Sequence, residues 1–183
     1  GVEVIETQAF AYNSILKSIS IPESTVTFGE GIVHGCPNLE QITGKYASSD
    51  GRCLIIDGIL NSFAPAGLTE YTLPDNVKII GSMACSDNFT ALKTMHLPEG
   101  LVTIADRAFR YSGLETITLP SSLKYLYAES FYGSRELKTI YCKSVFPPAF
   151  VGCDDRWDTV FGDIHPDAVI YVPEDQIEPY KRE

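Results

Sequence analysis

The residues that could do chemistry are few, and their spacing favours structural roles. The histidines His34, His96 and His165 lack metal-binding spacing, since no two lie four residues apart as on one helical face. We expect His96, on the outward face of a predicted strand, to be a solvated surface residue. The cysteines are odd in number and form no C-x-x-C pair; they are Cys36, Cys53, Cys85, Cys142 and Cys153. Because free cysteine is often buried, we predict small core thiols and no metal site.

Acidic residues near the C-terminus raise the hypothesis of a calcium site. The segment DDRWD at 154–158, together with Asp163, offers carboxylate oxygens. It lacks the D-x-D-x-D-G order and the distal glutamate of a calcium loop, so solvated loop acids are the favoured interpretation. Trp157 in the same segment could stack on a sugar, but a loop anchor packed on the last coil is the simpler prediction.

Enzyme motifs are absent from the sequence. It has no G-x-S-x-G element, no glycine-rich phosphate loop and no convincing cysteine–histidine pair. Parallel β-helix enzymes that cleave polysaccharides stack strands with a similar period, but they need carboxylates that converge on one face. Glu70 stands alone as an acid at the outward strand positions. We predict no enzymatic activity and no cofactor, and keep a polysaccharide-active solenoid as the minor alternative.

Composition disfavours two classes of partner. The 183 residues carry 14 Lys and Arg against 24 Asp and Glu, a net charge of −10. This charge opposes binding to nucleic acid and offers no basic patch for anionic lipid. No apolar run in this sequence reaches the roughly 18 residues of a membrane span, and we expect the signal and anchor of an exported protein to lie outside this segment.

An internal repeat organises the chain. The template L-x-x-I-x-L-P begins at Leu16, Leu39, Leu68, Leu92, Leu114 and Leu137, and a degenerate seventh copy, DAVIYVP, ends at Pro173. Intervals between the six leucines are 23, 29, 24, 22 and 23 residues. In LETITLP, alternation directs Ile117 and Leu119 inward and Thr116 and Thr118 outward, as in a half-buried strand. The closing proline has no N–H to donate, so it ends the strand.

A second template, V/L-x-x-I-x-x-x-A-F, follows the first and predicts a short apolar strand or turn and then one helical turn. Stacked copies would align a spine of Phe10, Cys85, Phe109 and Phe131 beside a column of Ile5, Phe28, Ile80, Ile104 and Leu126. One coil of about 23 residues cannot bury its own apolar face, so stability must come from stacking. The sequence therefore predicts a parallel, β-rich α/β solenoid of about six to seven coils.

Outward positions of the first template form two polar columns. The third position reads Ser18, Gln41, Glu70, Thr94, Thr116 and Thr139, and the fifth reads Ser20, Thr43, Thr72, His96, Thr118 and Tyr141. We expect both columns on one sheet, the concave one in such solenoids. The candidate binding residues are Thr72, Thr94, His96, Thr116, Thr118, Thr139 and Tyr141. Strand propensity alone explains threonine here, although repeat proteins typically bind through such open faces. Aromatic anchors are lacking, except Tyr141 and Tyr71 nearby.

The repeat resembles the BspA-like leucine-rich-repeat family of bacterial cell-surface proteins. The resemblance is carried by LETITLPSSLKYLYAESFYGS and by the VHGCPNLEQI junction, where Cys36 precedes the leucine of the next repeat. It implies a leucine-rich-repeat right-handed superhelix of parallel strands, in a secreted or surface-exposed protein. Adhesion to proteins or host surfaces is described for some members of the family.

The 29-residue interval holds an insertion. In SSDGRCLIIDGILNSFAPAG two apolar runs are joined by Asp57-Gly58, a strong signal for a tight β-hairpin turn. One hypothesis is a projecting ribbon that contacts a partner. The favoured one is a packed flap, for which Leu54, Ile56, Leu60 and Phe63 provide apolar surface.

We expect one solenoid, and we expect it to be part of a longer chain. Its limits would be a half coil at 1–15, coils over 16–143 with the hairpin at about 47–66, and a C-terminal capping coil at 144–183. Solenoid ends need a polar outer face, and Ile177 and Tyr180 would cover the last core layer.

Three functions remain open. The first is a non-enzymatic cell-surface module that binds a protein or host-surface ligand, through the threonine columns or through the hairpin or acidic C-terminal segment. The second is a structural spacer without a ligand of its own. The third is the polysaccharide-active enzyme. The sequence favours the first and does not identify the ligand or the oligomeric state.

Overall fold

A computed structural model describes residues 1–87, 91–152 and 157–181. Within these ranges the chain forms a parallel β-solenoid of about six turns with little helix, as predicted. Cys153 and the acids Asp154 and Asp155 of the calcium hypothesis lie outside the described residues, and so do the side chains of Trp157 and Asp158.

Fifteen short strands are described along the chain. They are β1 (Val4–Ile5), β2 (Ser18–Ile21), β3 (Thr27–Phe28), β4 (Gln41–Gly44), β5 (Cys53–Ile56), β6 (Ile59–Phe63), β7 (Glu70–Thr72), β8 (Ile79–Ile80), β9 (Thr94–His96), β10 (Thr103–Ile104), β11 (Thr116–Leu119), β12 (Tyr125–Tyr127), β13 (Thr139–Cys142), β14 (Ala149–Val151) and β15 (Val169–Tyr171). The helices are α1 (Trp157–Val160), a 3₁₀ turn (Glu174–Gln176) and α2 (Ile177–Lys181). None of these is long and apolar enough to cross a membrane.

The strands form front and back sheets. The front sheets, from the first template, are β2-β4 and β7-β9-β11-β13-β15; the back sheets, from the second template, are β1-β3 and β5-β6-β8-β10-β12-β14. Equivalent residues of successive rungs lie opposite each other, so that Ile117 pairs with Met95 on one side and with Ile140 on the other. All three are buried, and the core therefore lies between front and back sheets.

The second template forms consecutive turns, and the predicted helical turn is wrong. Arg107 and Tyr111 both have left-handed backbone, with φ of 55° and 51°. Phe109 N–H and Tyr111 N–H donate to carbonyl oxygens of the next rung at 2.7 and 2.9 Å, whereas Ala108 N–H donates within its own turn to Ala105 at 3.2 Å. An α-helix would direct every N–H along its own axis and leave none for the neighbouring rung. Pairing between rungs therefore takes precedence over helix.

The predicted spine of stacked side chains is present from Cys85 onward, but Phe10 is not part of it. Cys85, Phe109 and Phe131 are buried, and the Phe131 ring stacks on Phe109 and on Phe161 with centroids 5.2 and 5.1 Å apart. Phe10 is 40% exposed, contrary to the prediction, because its rung has a neighbour on one side only.

The predicted column on the back sheets is divided. Ile5 lies opposite Phe28, and Ile80 lies opposite Ile104, which in turn faces Leu126. Between Phe28 and Ile80 the hairpin interrupts the order, since its Leu60 is the residue opposite Ile80.

The Asp57-Gly58 hairpin is confirmed, and it is packed into the fold. Both turn residues have positive φ, 50° and 80°, as a tight hairpin turn requires. β5 and β6 pair antiparallel, and β6 also pairs in parallel with β8, so the hairpin forms one end of a back sheet. Leu54, Leu60 and Phe63 are buried. Packing therefore agrees with the flap and contradicts a projecting ribbon.

The last rung is covered by only one of the two predicted residues. Tyr180 is 9% exposed, and its hydroxyl donates to the carbonyl oxygens of Ser144 at 3.0 Å and Phe146 at 3.3 Å. Ile177 is 41% exposed, and it borders an open depression beside Ile170, Val172 and Tyr180 without closing it. Ile170, which continues the core column after Ile140, is consequently 36% exposed.

Candidate functional site

The outward side chains of the five-stranded front sheet form one surface, here called the threonine face. It comprises Glu70, Thr72, Thr94, His96, Thr116, Thr118, Thr139, Tyr141, Val169 and Tyr171. Strand register sets Thr116 opposite Thr94 and Thr139, and sets Tyr141 opposite Thr118 and Tyr171. All seven candidate binding residues lie on this face. Their role in binding stays a prediction.

The expectation of a single front sheet is wrong. Residues Ser18, Ser20, Gln41 and Thr43 belong to the separate pair β2-β4. The N–H of Ile42 donates to Gly51 O at 2.7 Å, so the segment before the hairpin occupies the edge of β4 that would otherwise pair with β7. The insertion thus divides the front surface into two sheets. All the candidate residues lie on the larger one, the five-stranded sheet.

Acidic side chains on and beside the face have hydrogen-bond partners. His96 is half-exposed, as predicted for a surface residue, and its Nε2 also lies 2.5 Å from Glu70 Oε1. The Lys143 ammonium donates to Glu99 Oε1 at 2.8 Å, and this hydrogen bond lowers the pKa of Glu99. With Glu70 and Glu99 engaged in these contacts, hydroxyl groups dominate the rest of the face.

An aromatic pair marks the C-terminal end of the face. Tyr141 and Tyr171 are 43% and 51% exposed, and their rings stack with centroids 5.0 Å apart and planes 21° apart. They border an open depression of about 460 Å³ together with Thr118, Lys143 and Val172. The sequence prediction omitted Tyr171, although the fifth position of DAVIYVP places it in the same column as Tyr141.

Tyr71, predicted as a neighbouring anchor, does not lie on the face. Its ring packs against Phe63 with centroids 4.9 Å apart, and its hydroxyl donates to Asp50 Oδ2 at 2.8 Å. The reason is alternation, since Tyr71 occupies the inward position between Glu70 and Thr72.

The described cysteines are buried thiols, as predicted. Cys36, Cys53, Cys85 and Cys142 are free and buried. Burial raises the pKa of both Cys53 and Cys142 to about 12, so neither is a ready nucleophile. His34 is also buried, with Nδ1 3.0 Å from Gly31 O. In the described parts of the chain no three His, Cys, Asp or Glu side chains come close enough to hold a metal ion.

The geometry suits noncovalent binding. Hydroxyl groups in two regular columns can donate and accept hydrogen bonds, and the stacked tyrosines offer a flat apolar surface with a polar tip. Glu70, the acid at an outward strand position, is already bonded to His96.

Comparisons with known sequences agree with the repeat. The sequence profile of the BspA type leucine rich repeat region matches residues 1–49 and 60–153, in six copies. The stretch between the two matched ranges holds β5 and the Asp57-Gly58 turn. No curated protein sequence is significantly similar to this chain.

Solved structures from bacteria share the fold. A leucine-rich repeat protein from Eubacterium ventriosum has 25% identity and a TM-score of 0.63 over 86% of this chain and 44% of its own. The pneumococcal vaccine antigen PcpA has 21% identity and a TM-score of 0.70 over 97% of this chain and 56% of its own. A leucine rich cell surface protein from Faecalibacterium prausnitzii has 15% identity and a TM-score of 0.59, over 97% and 54%. This chain spans about half the length of each.

Proposed function

The chain belongs to the BspA-type leucine-rich repeat family, and on that premise we propose that it is a non-enzymatic, adhesin-like module that binds a protein or host-surface ligand. The proposed site is the threonine face. The single observation that carries the proposal is the exposed, stacked pair of Tyr141 and Tyr171 at the end of that face.

The tyrosine pair is the kind of feature that anchors partners. Tyrosine supplies a large, rigid contact area at low cost in conformational entropy, and it is enriched among residues that dominate binding energy. In the core, Phe109 and Phe131 stack on each other and are buried. Tyr141 and Tyr171 also stack, but they keep about half of their surface exposed. Next to them the paired Lys143 and Glu99 provide polar groups at the rim.

We propose a cell-surface location for the protein, which would be exported. Support comes from the relative in Faecalibacterium prausnitzii, which is named as a cell surface protein, and from the pneumococcal protein, which is named as a vaccine antigen. Because the chain spans about half of these relatives, the proposal concerns this solenoid as one part of a larger surface protein.

A structural spacer is the second candidate, and the threonines themselves favour it. Thr94, Thr116 and Thr139 are half-buried by their neighbours in the column, and such pairs contribute a few tenths of a kcal/mol to the sheet without any ligand. The two candidates differ in one respect, because the spacer needs no exposed aromatic pair.

The test compares two surfaces of one folded protein. One variant carries Tyr141→Ala with Tyr171→Ala, a second carries Thr94→Glu, Thr116→Glu and Thr118→Glu, and the control carries Tyr125→Ala on the back sheet. Tyr125 is as exposed as Tyr141, at 43%, so the control matches the loss of an exposed ring. The probes are host cells and an array of extracellular-matrix proteins and glycans.

We expect both front-face variants to lose at least about tenfold in binding while Tyr125→Ala binds normally. Equal binding by all folded variants would exclude the threonine face as the site. A wild-type protein that binds no probe would favour the spacer.

A further inference from the structure

A second candidate site lies where the back sheets are interrupted. Strand β3 pairs with β1 alone, whereas β8, β10 and β12 each pair with a strand on both sides. The back-sheet strand that follows β3 along the chain is β5, which runs antiparallel to β6 and is not paired with β3. One edge of β3 therefore has no strand beside it within the described residues.

The unpaired edge presents the backbone of Phe28. The N–H groups of Thr27 and Gly29 donate to Glu3 O and Ile5 O of the first rung, at 3.1 and 2.7 Å. Since successive residues of a strand direct their backbone groups to alternate edges, the N–H and C=O of Phe28 face away from β1. That edge holds one donor and one acceptor, which suits an added strand.

The hairpin cannot supply the missing strand, because its own outer edge is occupied. The N–H of Ile55 donates to Tyr46 O at 2.9 Å, and Ser48 N–H donates to Cys53 O at 2.8 Å. Two side chains instead contact carbonyl oxygens just outside β3, one on each side of it along the chain. Asn61 Nδ2 donates to Gly29 O at 2.8 Å, and Lys45 Nζ donates to Thr25 O at 2.9 Å. Neither of these two side chains donates to the backbone carbonyl of Phe28, which lies between them.

A cleft of about 370 Å³ lies against this edge; we call it the seam cleft. One wall is residues 26–30, and the other is Ile56, Ile59 and Asn61 with Gly81 and Ser82. Val26 is 71% exposed and Ile59 is 39% exposed, so two branched apolar side chains flank the opening. Among the described residues that line the cleft, Glu30 is the only charged one.

We propose that the seam cleft binds an extended peptide segment of a partner protein, which adds to the free edge of β3 as a strand. Main-chain hydrogen bonds to Phe28 would provide affinity, and apolar side chains of the peptide would contact Val26 and Ile59. Because Glu30 is acidic and the whole protein carries a net charge of −10, we expect the peptide to carry a basic residue that lies beside Glu30. This site is separate from the threonine face, and neither depends on the other.

The test uses the whole chain, labelled with ¹⁵N, and a capped pentapeptide of sequence threonine-valine-lysine-valine-threonine. Binding is followed by the amide shifts of Thr27, Phe28 and Gly29. Two further peptides carry N-methyl groups, either on the lysine or on both valines. Alternate residues of a strand face the same edge, so only one of the two methylated peptides can keep its hydrogen bonds to β3. We expect that one to bind as the parent does and the other to bind about tenfold more weakly.

Variants separate this cleft from other exposed apolar surface. Val26→Asp should weaken binding of the parent peptide at least about tenfold, and Ile15→Asp should not, although Ile15 is 85% exposed. Glu30→Gln should abolish the preference for the lysine peptide over its norleucine analogue.

Several results would overturn the proposal. They are equal binding by both methylated peptides, equal losses in the Val26 and Ile15 variants, and no shift at Phe28 up to millimolar peptide. Concentration-dependent dimerisation that Val26→Asp removes would also overturn it, since the occupant would then be a second copy of the chain.

Discussion

The regular stack, Leu101–Cys142, and the hairpin seam, Tyr46–Phe63, hold their rungs together in different ways. In the stack each apolar side chain packs on its counterpart one rung away, as Phe109 does on Phe131 with ring planes 10° apart. At the seam polar contacts are added to the apolar packing of Leu54, Leu60 and Phe63. Asp50 accepts hydrogen bonds from Ser48 Oγ at 2.6 Å and from the Tyr71 hydroxyl at 2.8 Å.

The difference shows where the solenoid is divided. Leu54 and Ala64 belong to an N-terminal cluster of buried apolar residues, whereas Leu60 and Phe63 belong to a larger C-terminal one. The hairpin therefore contributes one side to each core. Because solenoid rungs interact mainly with their neighbours, the hairpin couples the two parts, together with direct contacts such as the hydrogen bond from Gly35 N–H to Ser86 O at 3.2 Å.

The largest expected effect is in the stack. Phe131→Ala should lower the free energy of unfolding by about 3–5 kcal/mol, because Phe131 is fully buried between two other phenylalanine rings and the cavity cannot close without moving both neighbouring rungs. Urea unfolding followed by circular dichroism measures it. Phe146→Ala is the matched control, since Phe146 is 69% exposed and should change the free energy by less than about 0.5 kcal/mol. Similar values for the two variants would contradict apolar stacking as the main source of stability.

Much of the stack could be predicted from the sequence, because alternation and a repeat of nearly constant length determine which side chains face inward. Ile117, Leu119 and Leu126 were assigned to the core on that basis, and all are buried. The helical turn was wrong because the sequence does not show the hydrogen bonds between rungs. The burial of Ile177 could not be predicted from a sequence pattern, since it depends on where α2 lies against the last rung.

Sequence alternation predicts where the candidate residues lie, but not all of their contacts. Alternation placed Thr116, Thr118 and Tyr141 on one face, as observed. The pair of His96 and Glu70 was missed because it joins diagonal positions of neighbouring strands, which depend on side-chain conformation. The interruption of the front sheet was missed because the segment that pairs with β4 lies in the insertion.

An intermediate effect is expected at the hairpin turn. Gly58 has φ of 80°, and an added Cβ would lie 3.3 Å from Asn76 O. Gly58→Ala should therefore cost about 1–2 kcal/mol of unfolding free energy, through both backbone strain and this contact. Gly67→Ala is the control for strain alone, because Gly67 has φ of 77° with nothing within 4 Å of an added Cβ. It should cost less than Gly58→Ala, and Asp57→Asn should be nearly neutral because asparagine also suits this turn. A larger loss at Gly67 would show that the seam does not depend on turn geometry.

The smallest expected effect is the loss of stability at acidic pH that comes from the hydrogen bonds of Asp50 at the seam. Burial raises the pKa of Asp50, but hydrogen bonds from Ser48, the Arg52 N–H and Tyr71 outweigh it and hold the pKa below its ordinary value. A carboxyl group whose pKa is lower in the folded state contributes its stability above the ordinary value and loses it as pH falls through the folded one. Since Asp50 is exposed, the contribution should stay below about 1 kcal/mol.

The measurement that isolates this contribution is the difference in unfolding free energy between wild type and Asp50→Asn at several pH values. It should be largest near neutral pH and should shrink below about pH 4, where the unfolded carboxyl begins to bind protons. Tyr71→Phe removes one of these donors and should reduce the pH-dependent part without abolishing it. A difference that is independent of pH would mean that Asp50 acts through shape alone. The seam would then differ from the stack only in geometry, and its polar contacts would add nothing to the coupling of the two cores.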